Sequence, residues 1–122
     1  MKMKLFHLMV VIGLFTLVQG CNNSEPTSPT TLNTTLKTGT TYQYDLGYFG
    51  DEEGVNISTP PNHFQVSKID RDINSGKIIY TYVPSSGFTG TDTVELKLMR
   101  GSNGSSANNN ITTVVIKFTI ID

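Results

Sequence analysis

Val114, Ile116, Phe118 and Ile120 alternate with Thr113, Val115, Lys117 and Thr119, and this period of two governs most of the chain beyond residue 40. Apolar residues at every second position share one face only in a β-strand. The same alternation sets Val94, Leu96 and Leu98 against Thr93, Glu95 and Lys97, and Tyr42, Tyr44 and Leu46 against Thr41, Gln43 and Asp45. Ile78, Tyr80 and Tyr82 share one face of a strand running from Lys77 to Val83. Val55 and Ile57 mark a short strand that Pro60-Pro61 stops, because proline cannot donate to a ladder. Phe64 and Val66 open another, running to Ile69. Between it and the Lys77 strand, Asn74-Ser75-Gly76 is a hairpin signal, since Asn and Gly tolerate positive φ. This half of the chain carries almost no helical signal.

Six or seven short strands, rich in β-branched and aromatic residues, predict an all-β antiparallel sandwich. The Gly-, Ser- and Asn-rich run from Arg100 to Asn110 predicts a long hairpin joining the last two strands. Asn22 to about Thr41 is rich in Thr, Ser, Asn and Pro, and predicts a flexible tether. An alternative for that segment is a first edge strand begun by Leu32 and Leu36. The expected division is a leader over 1–20, a tether over 21–37 and one folded domain over 38–122.

The leader reading rests on Lys2 and Lys4, the apolar stretch from Leu5 to Val18, and the ending Val18-Gln19-Gly20-Cys21. A short positive head, an apolar core of this length and a small residue before the cut describe a secretory signal peptide rather than a membrane span. The Val-x-Gly-Cys ending resembles the lipobox of bacterial lipoproteins. In that family the cysteine is diacylated, the chain is cut before it, and the new amine is acylated. The resemblance implies lipidation of Cys21, the chain's single cysteine. Asn22, where an aspartate would favour the inner membrane in the enterobacterial rule, implies the outer membrane of a bacterial cell envelope. Acyl chains contribute about 0.8 kcal/mol per buried methylene, so two or three hold a small domain firmly.

Tyr82-Val-Pro84-Ser-Ser-Gly87-Phe88-Thr-Gly90-Thr-Asp92 resembles the signature turn of bacterial immunoglobulin-like and cadherin-like surface modules. In those modules a strand, a Gly-rich hairpin and a Val/Ile/Thr-rich terminal strand follow, and all three parts occur here between about residues 75 and 121. The resemblance implies an antiparallel immunoglobulin-like β-sandwich of six to seven strands. Pro84 ends a strand, Gly87 and Gly90 allow a tight return, Phe88 plugs the end of the sandwich, and Asp92 accepts backbone hydrogen bonds within the turn. The chain departs from these relatives at Met99-Arg100-Gly101-Ser102-Asn103, where many of them carry an aspartate and a more acidic loop. The departure weakens any inheritance of calcium binding.

Catalysis has little to stand on. After the leader the chain holds one histidine, His63, and no Gly-x-Ser-x-Gly nucleophile motif. One histidine and one lipidated cysteine do not furnish zinc. Calcium is the better metal candidate, through Asp70, Asp72 and Asn74 at alternate positions. A calcium loop of that type needs Gly at its sixth position and Glu at its twelfth, and Ser75 and Thr81 stand there. A polar hairpin accounts for the same residues. Asp51-Glu52-Glu53 is a second acidic cluster. Tyr48 and Phe49 form an aromatic pair in a Gly-flanked loop, suited to stacking on a sugar; the plainer expectation is one ring capping the core and the other partly exposed.

With 9 basic and 10 acidic residues and a net charge of −1, the chain has no basic run to hold nucleic acid. The sequence points to a lipid-anchored interaction or adhesion-type module without catalysis or cofactor. Its expected partners are the membrane and another envelope protein. The alternative is a glycan- or calcium-binding surface module.

Overall fold

The long alternating runs at the chain's end make the longest strands. The computed structural model describes residues 27–101 and 110–122. In it β6 (Gly90–Arg100) and β7 (Asn110–Ile121) pair antiparallel from Gly90↔Ile120 to Arg100↔Asn110. The paired ends confirm that the Gly/Ser/Asn-rich run joins these two strands. The other strands are β1 (Thr30–Lys37), β2 (Tyr42–Gly47), β3 (Gly54–Thr59), β4 (Phe64–Arg71) and β5 (Ile78–Pro84). Among the described residues there is no helix. One sheet has the order β1-β7-β6-β3 and the other β2-β5-β4. In the immunoglobulin arrangement the second, fourth and fifth strands share one sheet and the third, sixth and seventh the other. This chain has that division, with β1 laid parallel against β7 from Thr30↔Val114 to Lys37↔Ile121.

The inward faces are those the alternation indicates. Val94, Leu96, Leu98, Val114, Ile116, Phe118 and Ile120 are all buried, as are Tyr80 and Tyr82 from the opposite sheet. Tyr42, Tyr44, Ile57 and Ile69 pack around them, half-buried. Tyr82 stacks on Phe118 with ring centroids 4.0 Å apart and planes 6° apart, while Tyr42 meets Phe118 edge-on at 5.3 Å.

The boundary at residue 38 needs correction. β1 begins at Thr30, inside the segment read as tether, and Leu36 is buried while Leu32 packs against the core. The alternative of an edge strand carried by Leu32 and Leu36 is the one the structure adopts. Its other inward position is Thr34, so the segment looks polar, yet β7 supplies a complete row of backbone partners. Between Cys21 and this strand only residues 22–29 remain. The leader and Cys21 lie outside the described residues.

The strand directions define two ends. At one, here called the tip, lie the β2–β3 and β4–β5 connections and the paired ends of β6 and β7 at Arg100 and Asn110. At the other, the base, lie the β1–β2, β3–β4 and β5–β6 connections. The β4–β5 hairpin is held from inside by Asp72. Its carboxylate accepts the Asn74 and Ser75 N–H groups and the Ser75 hydroxyl, and the Gly76 N–H donates to the Asp72 carbonyl at 2.7 Å. Positive φ falls on Gly76 (76°) and not on Asn74. Asn74 therefore serves the turn as a donor rather than by a left-handed backbone.

Candidate functional site

Asp92 is the one polar or charged side chain buried among the described residues, at 4% exposure. Its Oδ1 accepts the Asn62 N–H at 2.8 Å and the Thr93 N–H at 3.0 Å. Its Oδ2 accepts the His63 N–H at 2.8 Å and lies 3.0 Å from the Tyr82 hydroxyl. That hydroxyl is also 3.1 Å from the His63 carbonyl, so one proton is shared between two acceptors. Two of the four bonds to the carboxylate reach across the base to the β3–β4 loop. The expectation that Asp92 bonds within its own turn holds only for Thr93. Pro60 and Pro61 have no N–H to offer, and the first two donors after them both go to this carboxylate. Ionic hydrogen bonds of this kind are about twice as strong as neutral ones.

The base is finished by rings. His63 lies flat on Phe88, centroids 4.0 Å apart and planes 5° apart. Phe88 is half-buried against the core, as the plug role requires. Gly90 has φ 133°, and a Cβ there would lie 3.3 Å from the Phe88 ring. The turn motif is thus a structural fastening. His63 contributes a backbone donor and a stacked ring to it.

Burial also acts on the tyrosines. It pushes the Tyr80 hydroxyl up to about 12, against the pull of Ser67, 3.0 Å away. Burial likewise raises Tyr82, with the bond to Asp92 adding to the shift. A raised value in the folded state means stability that is complete below the unfolded value of 10 and is lost as pH climbs through about 12. The urea midpoint should therefore fall across that window. Tyr80→Phe should flatten the fall; an unchanged slope in this variant would show that Tyr80 is not the group responsible.

At the tip, Arg100 organises the β2–β3 loop. Its Nη1 donates to the Tyr48 carbonyl at 2.7 Å and its Nη2 to the Leu46 carbonyl at 3.1 Å. The guanidinium lies 3.7 Å from the Phe49 ring centroid. Glu53 accepts the Gly50 and Gly101 N–H groups, both at 2.9 Å. These bonds, the one from Gly101 foremost, hold its carboxyl below the usual range. Phe49 is buried as a result, and Tyr48 is left 62% exposed. The pair divides as expected, one ring in and one out. The agent of that division, Arg100, stood out in the sequence only as a departure from the family pattern.

Among the acidic candidates, Asp70 and Asp72 share one surface concavity. Asp70 pairs with Lys68 at 2.7 Å, both side chains well exposed. Asp72 spends its oxygens on its own hairpin, and those hydrogen bonds, led by the one from Ser75, lower its pKa. Asn74 gives its backbone N–H to Asp72. Glu53 belongs to the Arg100 loop. Among the described residues no three or more His, Cys, Asp or Glu side chains stand together to hold a metal ion. A shallow concavity of about 530 Å³ opens on the outer face of the β2-β5-β4 sheet, lined by Gln43, Lys68, Asp70, Asp72, Ile79 and Thr81. It is open and mostly polar, without the apolar enclosure typical of small-molecule sites.

No protein family matches the chain, and no curated protein does. Among solved structures, an endo-fucoidan hydrolase, MfFcnA4 from glycoside hydrolase family 107, is similar over 75% of this chain at 20% identity and a TM-score of 0.48. The similar region spans 12% of that hydrolase. The cysteine protease inhibitor EhICP2 from Entamoeba histolytica is similar over 75% of this chain and 94% of its own, at 16% identity and a TM-score of 0.46. At TM-scores below 0.5 these likenesses define neither a family nor an activity for this chain.

Proposed function

We propose that the protein is a lipid-anchored accessory module of the bacterial cell envelope, without catalytic activity, that holds another envelope protein. The observation that carries the anchor is the ending Val18-Gln19-Gly20-Cys21 behind an apolar leader. The absence of a second cysteine supports it, since no disulfide competes for the thiol. The non-catalytic reading is supported by the use of the candidate polar side chains. Asp92, Glu53, Asp72 and Arg100 are all engaged in fastening loops. Asn22 after the cysteine favours the outer membrane.

Cys21→Ser should abolish metabolic palmitate labelling and move the protein to the soluble fraction. A variant that still sediments with membranes after a salt wash would remove the anchor from the reading. A pull-down from detergent-solubilised envelope with an epitope-tagged chain tests for the partner protein.

A second reading, a surface module for glycans, is favoured by the 62% exposure of Tyr48. An oligosaccharide that binds the native state alone would raise the melting temperature. Calcium is not expected to act. Calorimetry with millimolar calcium should show no saturable heat, because Asp72 is already committed to its hairpin. A saturable signal lost in Asp70→Ala or Asp72→Ala would put calcium binding first.

A further inference from the structure

We infer that the tip of the sandwich rests on the phospholipid surface, with Tyr48 and Ile73 at the contact. The inference rests on the anchor reading above. β1 runs from the tip side toward the base, so the chain before Thr30 leaves in the direction of the tip. Thr30 lies level with Val114, four residues along β7 from Asn110 at the tip. At the rise of a strand that is about 13 Å. From Thr30 to the base end at Ile121 the sheet runs about 23 Å the other way. The nine residue-to-residue steps from Cys21 to Thr30 reach at most about 32 Å, whatever their conformation. A domain lying base-down would use most of that reach merely to run back along its own sheet. Tip-down needs little of it.

The tip has the surface such a contact needs. Ile73 at 95% and Tyr48 at 62% are the most exposed large apolar side chains among the described residues. They belong to neighbouring loops: a Cβ added at Gly76 would lie 4.0 Å from the Tyr48 ring, and the Lys77 ammonium is 5.8 Å from its centroid. Tyrosine is enriched where membrane meets water, because its ring is apolar and its hydroxyl wet. At this end Lys77 pairs with Asp45 and Arg100 lies near Glu53, and with Asp51, Glu52, Asp72 and Arg71 the five acids against three bases leave the tip modestly negative. Glu53 and Asp72 are further engaged by backbone N–H groups of their own loops. A zwitterionic headgroup layer suits this surface better than an anionic one.

The chain contains no tryptophan, so a single substituted one reports alone. Lipidated full chains carrying Tyr48→Trp, Ile73→Trp or, at the base, Phe64→Trp would be reconstituted into phosphatidylcholine vesicles containing a brominated phosphatidylcholine. All three positions are exposed, and far-ultraviolet circular dichroism checks the fold of each variant. The tip positions should show blue-shifted emission and roughly twofold stronger quenching than position 64, as expected of groups at the headgroup–acyl boundary. Equal quenching at all three positions, or more at 64, in chains that float with the vesicles overturns the tip contact and leaves the anchor standing. Chains that do not float overturn the anchor and the tip contact together.

Discussion

Replacing Asp92 with alanine should cost about 3–4 kcal/mol of unfolding free energy, read as a fall in urea midpoint with an unchanged slope. The substitution deletes the acceptor of the Asn62, His63 and Thr93 N–H groups and of the Tyr82 hydroxyl. Each donor left buried without a partner costs about 1–3 kcal/mol. Tyr82 retains the His63 carbonyl, and water reaches the exposed side of the β3–β4 loop, so the sum stays below four full penalties. Asp92→Asn should cost about 2 kcal/mol, because one carboxylate oxygen becomes a donor facing donors. Domains of this length have about 5–14 kcal/mol in total, so the alanine variant loses a large part of it. Asp70→Asn, which touches only an exposed ion pair, should cost under about 0.5 kcal/mol. A cost near that for Asp92→Ala would mean that the β3–β4 loop is held by Pro61 and Phe88 rather than by the carboxylate.

Asp92 also marks how far local sequence carries. Its turn residues are contiguous, and their conformational roles follow from residue type: Gly90 is where φ is positive and Phe88 is where a ring fills the end. Its principal partners lie about thirty residues away and are backbone groups, which have no residue signature. Pro60-Pro61 reads as a strand stop, and that the next two N–H groups turn inward is fixed only by the assembled base. The strand faces were legible because Val, Ile, Leu and Phe alternate with Thr, Glu and Lys strictly in β6 and β7. β1 was legible only as an alternative, through Leu32 and Leu36, because its third inward position is a threonine and its ladder rests on a parallel neighbour at the far end of the chain. At the tip the sequence separated one buried ring from one exposed ring. It did not show that Arg100, more than fifty residues on, decides which.

Phe118→Ala should cost about 3–5 kcal/mol, whereas Lys117→Ala and Thr119→Ala should each cost under about 0.5 kcal/mol. Phe118 is 1% exposed, and its neighbours on β7 point to water. Besides its burial the ring has two aromatic partners, Tyr82 face-on at 4.0 Å and Tyr42 edge-on at 5.3 Å. Such pairs add about 0.5–1.5 kcal/mol beyond area. Equal costs at positions 117 and 118 would overturn the inward face assigned to β7. A second consequence ties this residue to the base. Phe118 and Asp92 are register partners across β6 and β7, and Tyr82 touches both, its ring on Phe118 and its hydroxyl on Asp92. Removing Phe118 frees Tyr82 to shift, and part of the Asp92 network goes with it. The double variant should therefore lose less than the sum of the singles, by about 1 kcal/mol, as expected for groups that share a partner. Strict additivity would mean that Tyr82 keeps its place without Phe118, held by Asp92 and the surrounding core alone.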